Sequence, residues 1–199
     1  MNEIFLSPFG RPGTQAAEGL PRWRWTVEEI ERIAATGIFN EQDRFELIGG
    51  EIVPMSPKGV RHERLRNMLT YRWTKLAPDN VMIVGASQFN LDVDTFVNPD
   101  ILVHPMAIHT DKLRGPEALL LVEVAESSLI YDTKIKLPMY ASHGVPEYWI
   151  INAVTLETTI CRQPLGQTYA IATEFSADDR LVPSLVPELA ITLKTLRLD

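Results

Sequence analysis

The chain has one cysteine in 199 residues. Cys161 therefore has no partner for an internal disulfide, and no cysteine-based zinc cluster can form. Long apolar runs are absent as well. The longest, Ala118 to Val122, is interrupted at Glu123, far short of the roughly 18 residues a membrane span needs. The N-terminus has no basic segment followed by an apolar one, so no secretory signal is expected. Nor is there an excess of basic charge: 19 Lys and Arg stand against 26 Asp and Glu, a net charge of -7. Non-specific affinity for DNA comes mainly from Lys and Arg releasing counterions from phosphates, so the charge argues against a bulk nucleic-acid coat. These absences together predict a cytoplasmic protein with no membrane partner.

What remains is the composition of a globular protein, 45% hydrophobic and 23% charged, with enough apolar residues for one buried core. The charge is unevenly spread. Between Lys58 and Lys75 lie Lys58, Arg61, Arg64, Arg66, Arg72 and Lys75, with Glu63 as the lone acid. A local basic patch of this kind can hold nucleic acid at one site of an otherwise acidic protein.

Along the chain, Pro and Gly punctuate the beginning (Pro8, Gly10, Pro12, Gly13, Gly19, Pro21), which predicts an extended arm over 1–24 and a single domain over 25–199. Thr26 with Glu29 makes a capping box, so a helix should run from there to about Thr36. Gly49-Gly50 between Phe45–Ile48 and Glu51–Val53 predicts a hairpin. Leu65, Met68, Leu69, Trp73 and Leu76 recur at helical spacing, giving a helix from about Val60 to Leu76. Strands are expected at 81–84, 88–93, 100–104, 118–124, 147–152, 155–161 and 167–174, with 105–117 as loop. A helix is expected over 132–142 despite Pro138, which should kink it or mark an early turn. The pattern is that of an α/β protein.

Two acids stand out. Asp100 follows Pro99 at a strand start, and Glu123 interrupts the most apolar strand, where an ionised carboxylate is costly unless cations or donors compensate it. Carboxylates converging from neighbouring strands would suit Mg²⁺, which takes oxygen ligands and keeps several waters; Mn²⁺ is an alternative. Taken singly, Asp100 also fits ordinary turn chemistry, and Glu123 fits a structural acid paired with Arg or Lys.

The segments FELIGGEIVPMSPKGVRHERL, VNPDILV and LLVEVAESSLIYDTKIKLPMYASHGVPEYWIIN resemble the Uma-two family of restriction-endonuclease-type proteins, within the PD-(D/E)XK nuclease superfamily. The resemblance runs from about Trp25 to about Leu193. It implies a restriction-endonuclease-like fold, a mixed central β-sheet flanked by helices. It implies that Pro99-Asp100 is the PD element and Glu123 the acid of the (D/E)XK element. The chain departs from the pattern at Glu123-Val124-Ala125, where Ala replaces the expected Lys. The catalytic set is then Asp100, Glu123 and Lys136, the lysine coming from the following helix with Asp132 one turn before it. Lys134 competes for that role. Glu46 resembles an additional metal ligand beside Asp100 and Glu123, or it pairs with Arg44 or Arg61. His62 matches a family motif; it joins Arg61, Arg64, Arg66 and Arg72 as a nucleic-acid-binding candidate, or it satisfies backbone groups at a helix start.

The function implied is a Mg²⁺-dependent endonuclease that hydrolyses phosphodiester bonds in DNA. The alternative is a catalytically silent nuclease-like domain that binds nucleic acid or a protein partner. By analogy with nucleases that cut both strands, a homodimer is expected.

Overall fold

A computed structural model describes residues 23–40 and 42–198. Most of the expected N-terminal arm, residues 1–22, lies outside them. The described residues form two compact units. One comprises the described residues up to Pro57 together with Asn90–Val97, the other Lys58–Phe89 together with the described residues from Asn98 onward.

The first unit opens with helix α1, Val27–Ala34. It starts where the capping box predicts: the Thr26 side chain accepts from the Glu29 N–H, and the Glu29 carboxylate accepts from the Thr26 N–H at 2.9 Å. Strands β1, Phe45–Ile48, and β2, Glu51–Pro54, form the hairpin. Gly49 and Gly50 both take positive φ, 56° and 78°, as a two-residue turn matched to strand twist requires. At Gly50 a side chain would also collide with Arg24, whose Cβ lies 2.6 Å from the Cβ position. Strands β4, Phe89–Asp92, and β5, Thr95–Val97, complete a four-stranded sheet in the order β2-β1-β5-β4. Its core is Val27, Ile30, Leu47 and Phe96.

The second unit is built on a six-stranded sheet. Helix α2, Val60–Leu76, matches its sequence-based bounds and buries His62, Leu65, Leu69 and Trp73. The strands are β3, Val81–Gly85; β6, Ile101–Pro105; β7, Leu120–Ala125; β8, Glu147–Asn152; β9, Thr158–Leu165; and β10, Thr168–Phe175. They lie in the order β10-β9-β8-β7-β6-β3. The β7–β8 pair is parallel and the others antiparallel, so the sheet is mixed. All six residues of β7 are buried, which explains its nearly continuous apolar sequence. Leu65, Leu69 and Trp73 of α2 pack with Val122, Val124, Trp149 and Ile151 of the sheet. The Trp73 and Trp149 rings meet edge-on with centroids 5.9 Å apart.

Between β7 and β8 the chain forms α3, Leu129–Tyr131, a π-turn, Asp132–Lys136, and α4, Leu137–Ser142. Pro138 accounts for the irregularity. It lacks an N–H, and its ring crowds the carbonyl four residues earlier. The Leu137 N–H instead reaches back five residues to the Asp132 carbonyl, as in the single π-turns that interrupt α-helices. The expected loop 105–117 contains two 3₁₀ turns, Thr110–Lys112 and Gly115–Glu117. The stretch after β10 holds an isolated bridge between Leu181 and Ile191 and two 3₁₀ turns, Pro187–Leu189 and Leu193–Thr195. No helix among the described residues is long and apolar enough to cross a membrane.

Candidate functional site

The β6–β7 ladder pairs Ile101 with Val122, Leu102 with Leu121 and Val103 with Leu120. The ladder ends at the Ile101–Val122 pair; Asp100 lies in the bend just before β6, and Glu123 is the next residue of β7. A bond across the ladder fixes the arrangement: the Val124 N–H donates to Asp100 Oδ2 at 2.8 Å. Asp100 and Glu123 are both almost wholly buried.

Each carboxylate has its own lysine. Lys136 Nζ donates to Glu123 Oε1 at 2.8 Å, and the Tyr140 hydroxyl donates to the same oxygen at 2.8 Å. Asp132, Lys136 and Tyr140 recur every four residues along the helix and are all buried. Within an unbroken α-helix each such step would rotate the side chain by about 40°. The wider π-turn reduces that drift and keeps the three on one side. Lys134 is exposed, so the structure brings Lys136 to Glu123 and leaves Lys134 outside.

Lys58, just before α2, donates to Asp100 Oδ1. His62, on the first turn of α2, places Nε2 2.8 Å from Asp100 Oδ2. An ionised carboxylate only accepts, so the proton of this bond belongs to Nε2. Burial works to raise the Asp100 pKa, but the His62 hydrogen bond and the charges of Lys58 and His62 outweigh it. The carboxyl is held well below its usual range. The remaining ring nitrogen, Nδ1, lies 3.5 Å from Glu63 Oε1 without hydrogen-bond geometry.

Two further acids frame the group. Asp132 accepts from Ser128 Oγ at 2.7 Å. Burial pushes its pKa up, against the pull of Lys136 and the Ser128 bond. Glu126 accepts from the backbone N–H of His62 at 3.2 Å. It supplies the cap that Gly59, the N-cap residue of α2, has no side chain to give. A Cβ at Gly59 would run into the Glu126 carboxylate, so a side chain there would push this cap aside.

The nucleic-acid-binding candidates separate. His62 is buried against Asp100, so its imidazole is not part of an exposed basic face. Arg61, Arg64 and Arg72 are exposed. At 100° per residue they fall, with Lys75, within an arc of about 80° on α2. Arg66 lies outside that arc and is paired with Glu63 at 2.6 Å. Glu46 is buried in β1, in the other compact unit. Among the described residues no three His, Cys, Asp or Glu side chains gather as a metal-holding group.

Sequence reasoning missed Lys58 and Tyr140 as members of the site. Lys58 was visible only as the first residue of the basic run. No spacing signal links Lys58 to a carboxylate 42 residues away. For Tyr140, the i+4 step from Lys136 was the one available hint.

A family model, Uma2, described as "Putative restriction endonuclease", matches residues 27–194. The chain belongs to the Uma2 family. Among solved structures it is similar to "a putative nuclease belonging to DUF820" from Anabaena variabilis, at 18% identity and a TM-score of 0.66. The match covers 85% of this chain and 95% of that one. No curated protein matches. The fold is the α/β, restriction-endonuclease-like one that the Uma2 resemblance implies, with a mixed sheet and flanking helices.

Proposed function

We propose that this protein is a divalent-metal-dependent endonuclease that hydrolyses phosphodiester bonds in DNA. The observation that carries this is the bond from the Val124 N–H, next to Glu123, to the Asp100 carboxylate, together with the buried Lys136 held on Glu123. Family membership supports the same class of activity.

The residues present fit a divalent cation. Two buried carboxylates, one just before β6 and one on β7, supply hard oxygen donors, and Mg²⁺ commonly uses one or two carboxylates, completing its shell with water and substrate phosphate. Asp100 and Glu123 would hold the ion. When bound, it would polarise the phosphoryl group and favour ionisation of an attacking water. The protein's own groups divide the remaining work. The Val124 N–H and the His62 imidazole orient the Asp100 carboxylate. Tyr140 orients Glu123. Lys136 supplies a fixed positive charge for the pentavalent phosphate, where charge develops in a site shielded from water. The exposed face of Arg61, Arg64 and Arg72 would carry backbone phosphates, fixing position rather than sequence.

Incubation of the purified protein with plasmid DNA and Mn²⁺ or Mg²⁺ tests this. Nicking by the wild type, lost in Glu123→Gln with the fold retained, is the expected result. Ala125, standing where the superfamily carries a lysine, favours a second reading: a silent domain that binds nucleic acid or a protein partner. Salt-dependent DNA binding without cleavage under either metal would select it for nucleic acid.

A further inference from the structure

We propose that Lys58 is the exchangeable counter-ion of Asp100: a divalent cation entering the site displaces its ammonium. This rests on the metal-dependent reading above.

The two lysines of the site are held differently. The Lys136 side chain is 5% exposed, comes from a helix, and shares Glu123 Oε1 with the Tyr140 hydroxyl. The Lys58 side chain is 20% exposed and lies outside any helix or strand. Rotation of its four-carbon stem can carry the ammonium into water, where it is strongly hydrated.

The surroundings of Lys58 also favour departure. Its Nζ lies 3.2 Å from His62 Nε2. That nitrogen already gives its proton to Asp100 Oδ2 at 2.8 Å, so the ammonium faces a donor there, not an acceptor. Asp100 Oδ2 is occupied by two donors, His62 and the Val124 N–H. Neither need move for a cation to approach the other oxygen. Oδ1 is where Lys58 sits. A cation and the ammonium would therefore compete for Oδ1, while Oδ2 keeps the carboxylate aimed.

Charge balance gives the exchange its sense. A buried carboxylate is costly without a compensating positive charge. Lys58 supplies that charge until a cation takes over. The cost is a weaker apparent metal affinity, because the ion must first expel a resident charge. Lys58 should thus oppose metal binding even though it lies inside the site.

The test is Mn²⁺ binding, read by isothermal titration calorimetry and by the metal-induced rise in melting temperature. It needs no substrate and no turnover. Wild type, Lys58→Met and Lys58→Arg are compared, with circular dichroism to establish that each is folded. Lys58→Met should bind Mn²⁺ roughly tenfold more tightly than wild type, the scale expected when one nearby positive charge is removed. Lys58→Arg, which keeps the charge, should stay within about threefold of wild type. Tight binding by Lys58→Met with none detectable in wild type would support the exchange even more strongly. Equal or weaker binding by a folded Lys58→Met, with wild type binding Mn²⁺, overturns the displacement and leaves the metal reading standing. No Mn²⁺ binding by any of the three overturns both.

Discussion

The Val124 backbone N–H donates to Asp100 Oδ2 at 2.8 Å, tying the carboxylate of one strand to the peptide that follows Glu123 on the next. The aim of Asp100 is thus set by the sheet ladder as much as by its own side-chain rotamer. Asn at position 100 can keep that bond through its carbonyl oxygen but loses the charge that Lys58 and His62 face.

Asp100→Asn should cost stability at neutral pH, roughly 3 kcal/mol, the scale of breaking a buried ion pair from one side. The pH dependence follows from the sign of the shift. The folded pKa of Asp100 lies below its unfolded value near 4, so its stabilisation is full above that unfolded value and is lost as pH falls toward the folded one. The gap between urea melts of wild type and mutant should be widest at pH 7 and narrow steadily from about pH 4 downward. Curves that stay parallel would mean that Asp100 is not held ionised.

Asp132 should behave in the opposite way. Its pKa is raised by burial, so the penalty on the folded state builds as pH rises past the unfolded value near 4 and is complete above the raised one. Asp132→Asn keeps an acceptor for Ser128 and removes the buried charge. It should raise the melting temperature at pH 7, with the gain vanishing below about pH 4. A mutant less stable than wild type at pH 7 would show that Lys136 compensates Asp132 fully.

Lys136→Met and Lys134→Met separate the two lysines. The first strands the buried Glu123 carboxylate with Tyr140 and should destabilise by about 3 kcal/mol. The second removes an exposed charge and should stay within about 0.5 kcal/mol. Thermal melts give the comparison directly, and DNA cleavage should fall in Lys136→Met alone. Equal effects would undo the assignment.

On α2, the pair Arg61→Ala and Arg72→Ala should weaken DNA binding for all sequences alike. The slope of log K against log salt should flatten by roughly two units, about 0.9 per phosphate contact. Arg66→Ala, already neutralised by Glu63, should change that slope little. Fluorescence anisotropy across a salt series measures both, and a larger effect at Arg66 would place the phosphate track on another side of the helix.

How much of this is legible in the sequence depends on how local each cause is. The α1 cap, the Gly49-Gly50 turn, α2 and β8 follow from neighbours within a few residues, and the structure matches them closely. Strand β5, three residues long, is too short to leave a periodic signal. Strand β9 begins at Thr158, later than the expected Thr155. Asn152 Oδ1 accepts from the N–H groups of Val154 and Thr155, and Leu156 takes a φ of 61°; these hold a turn in which β-favouring side chains are overruled. The Asp100–Glu123 relationship became visible through a family motif. The Lys58–Asp100 contact is a product of tertiary packing and has no sequence shadow.

The π-turn after β7 has a consequence for how such a site can change over time. Asp100 is tied to β7 by the Val124 N–H, and Glu123 is fixed in β7, a strand paired on both sides. The ammonium of Lys136 rides on a helix whose turn has already absorbed one extra residue. Its reach can be retuned by an insertion, a deletion or a shifted proline without disturbing the acids. Housing acids and base on different kinds of backbone makes one half of the constellation a constant and the other an adjustable variable, so lineages of this architecture can relocate their lysine while the carboxylates stay where they are.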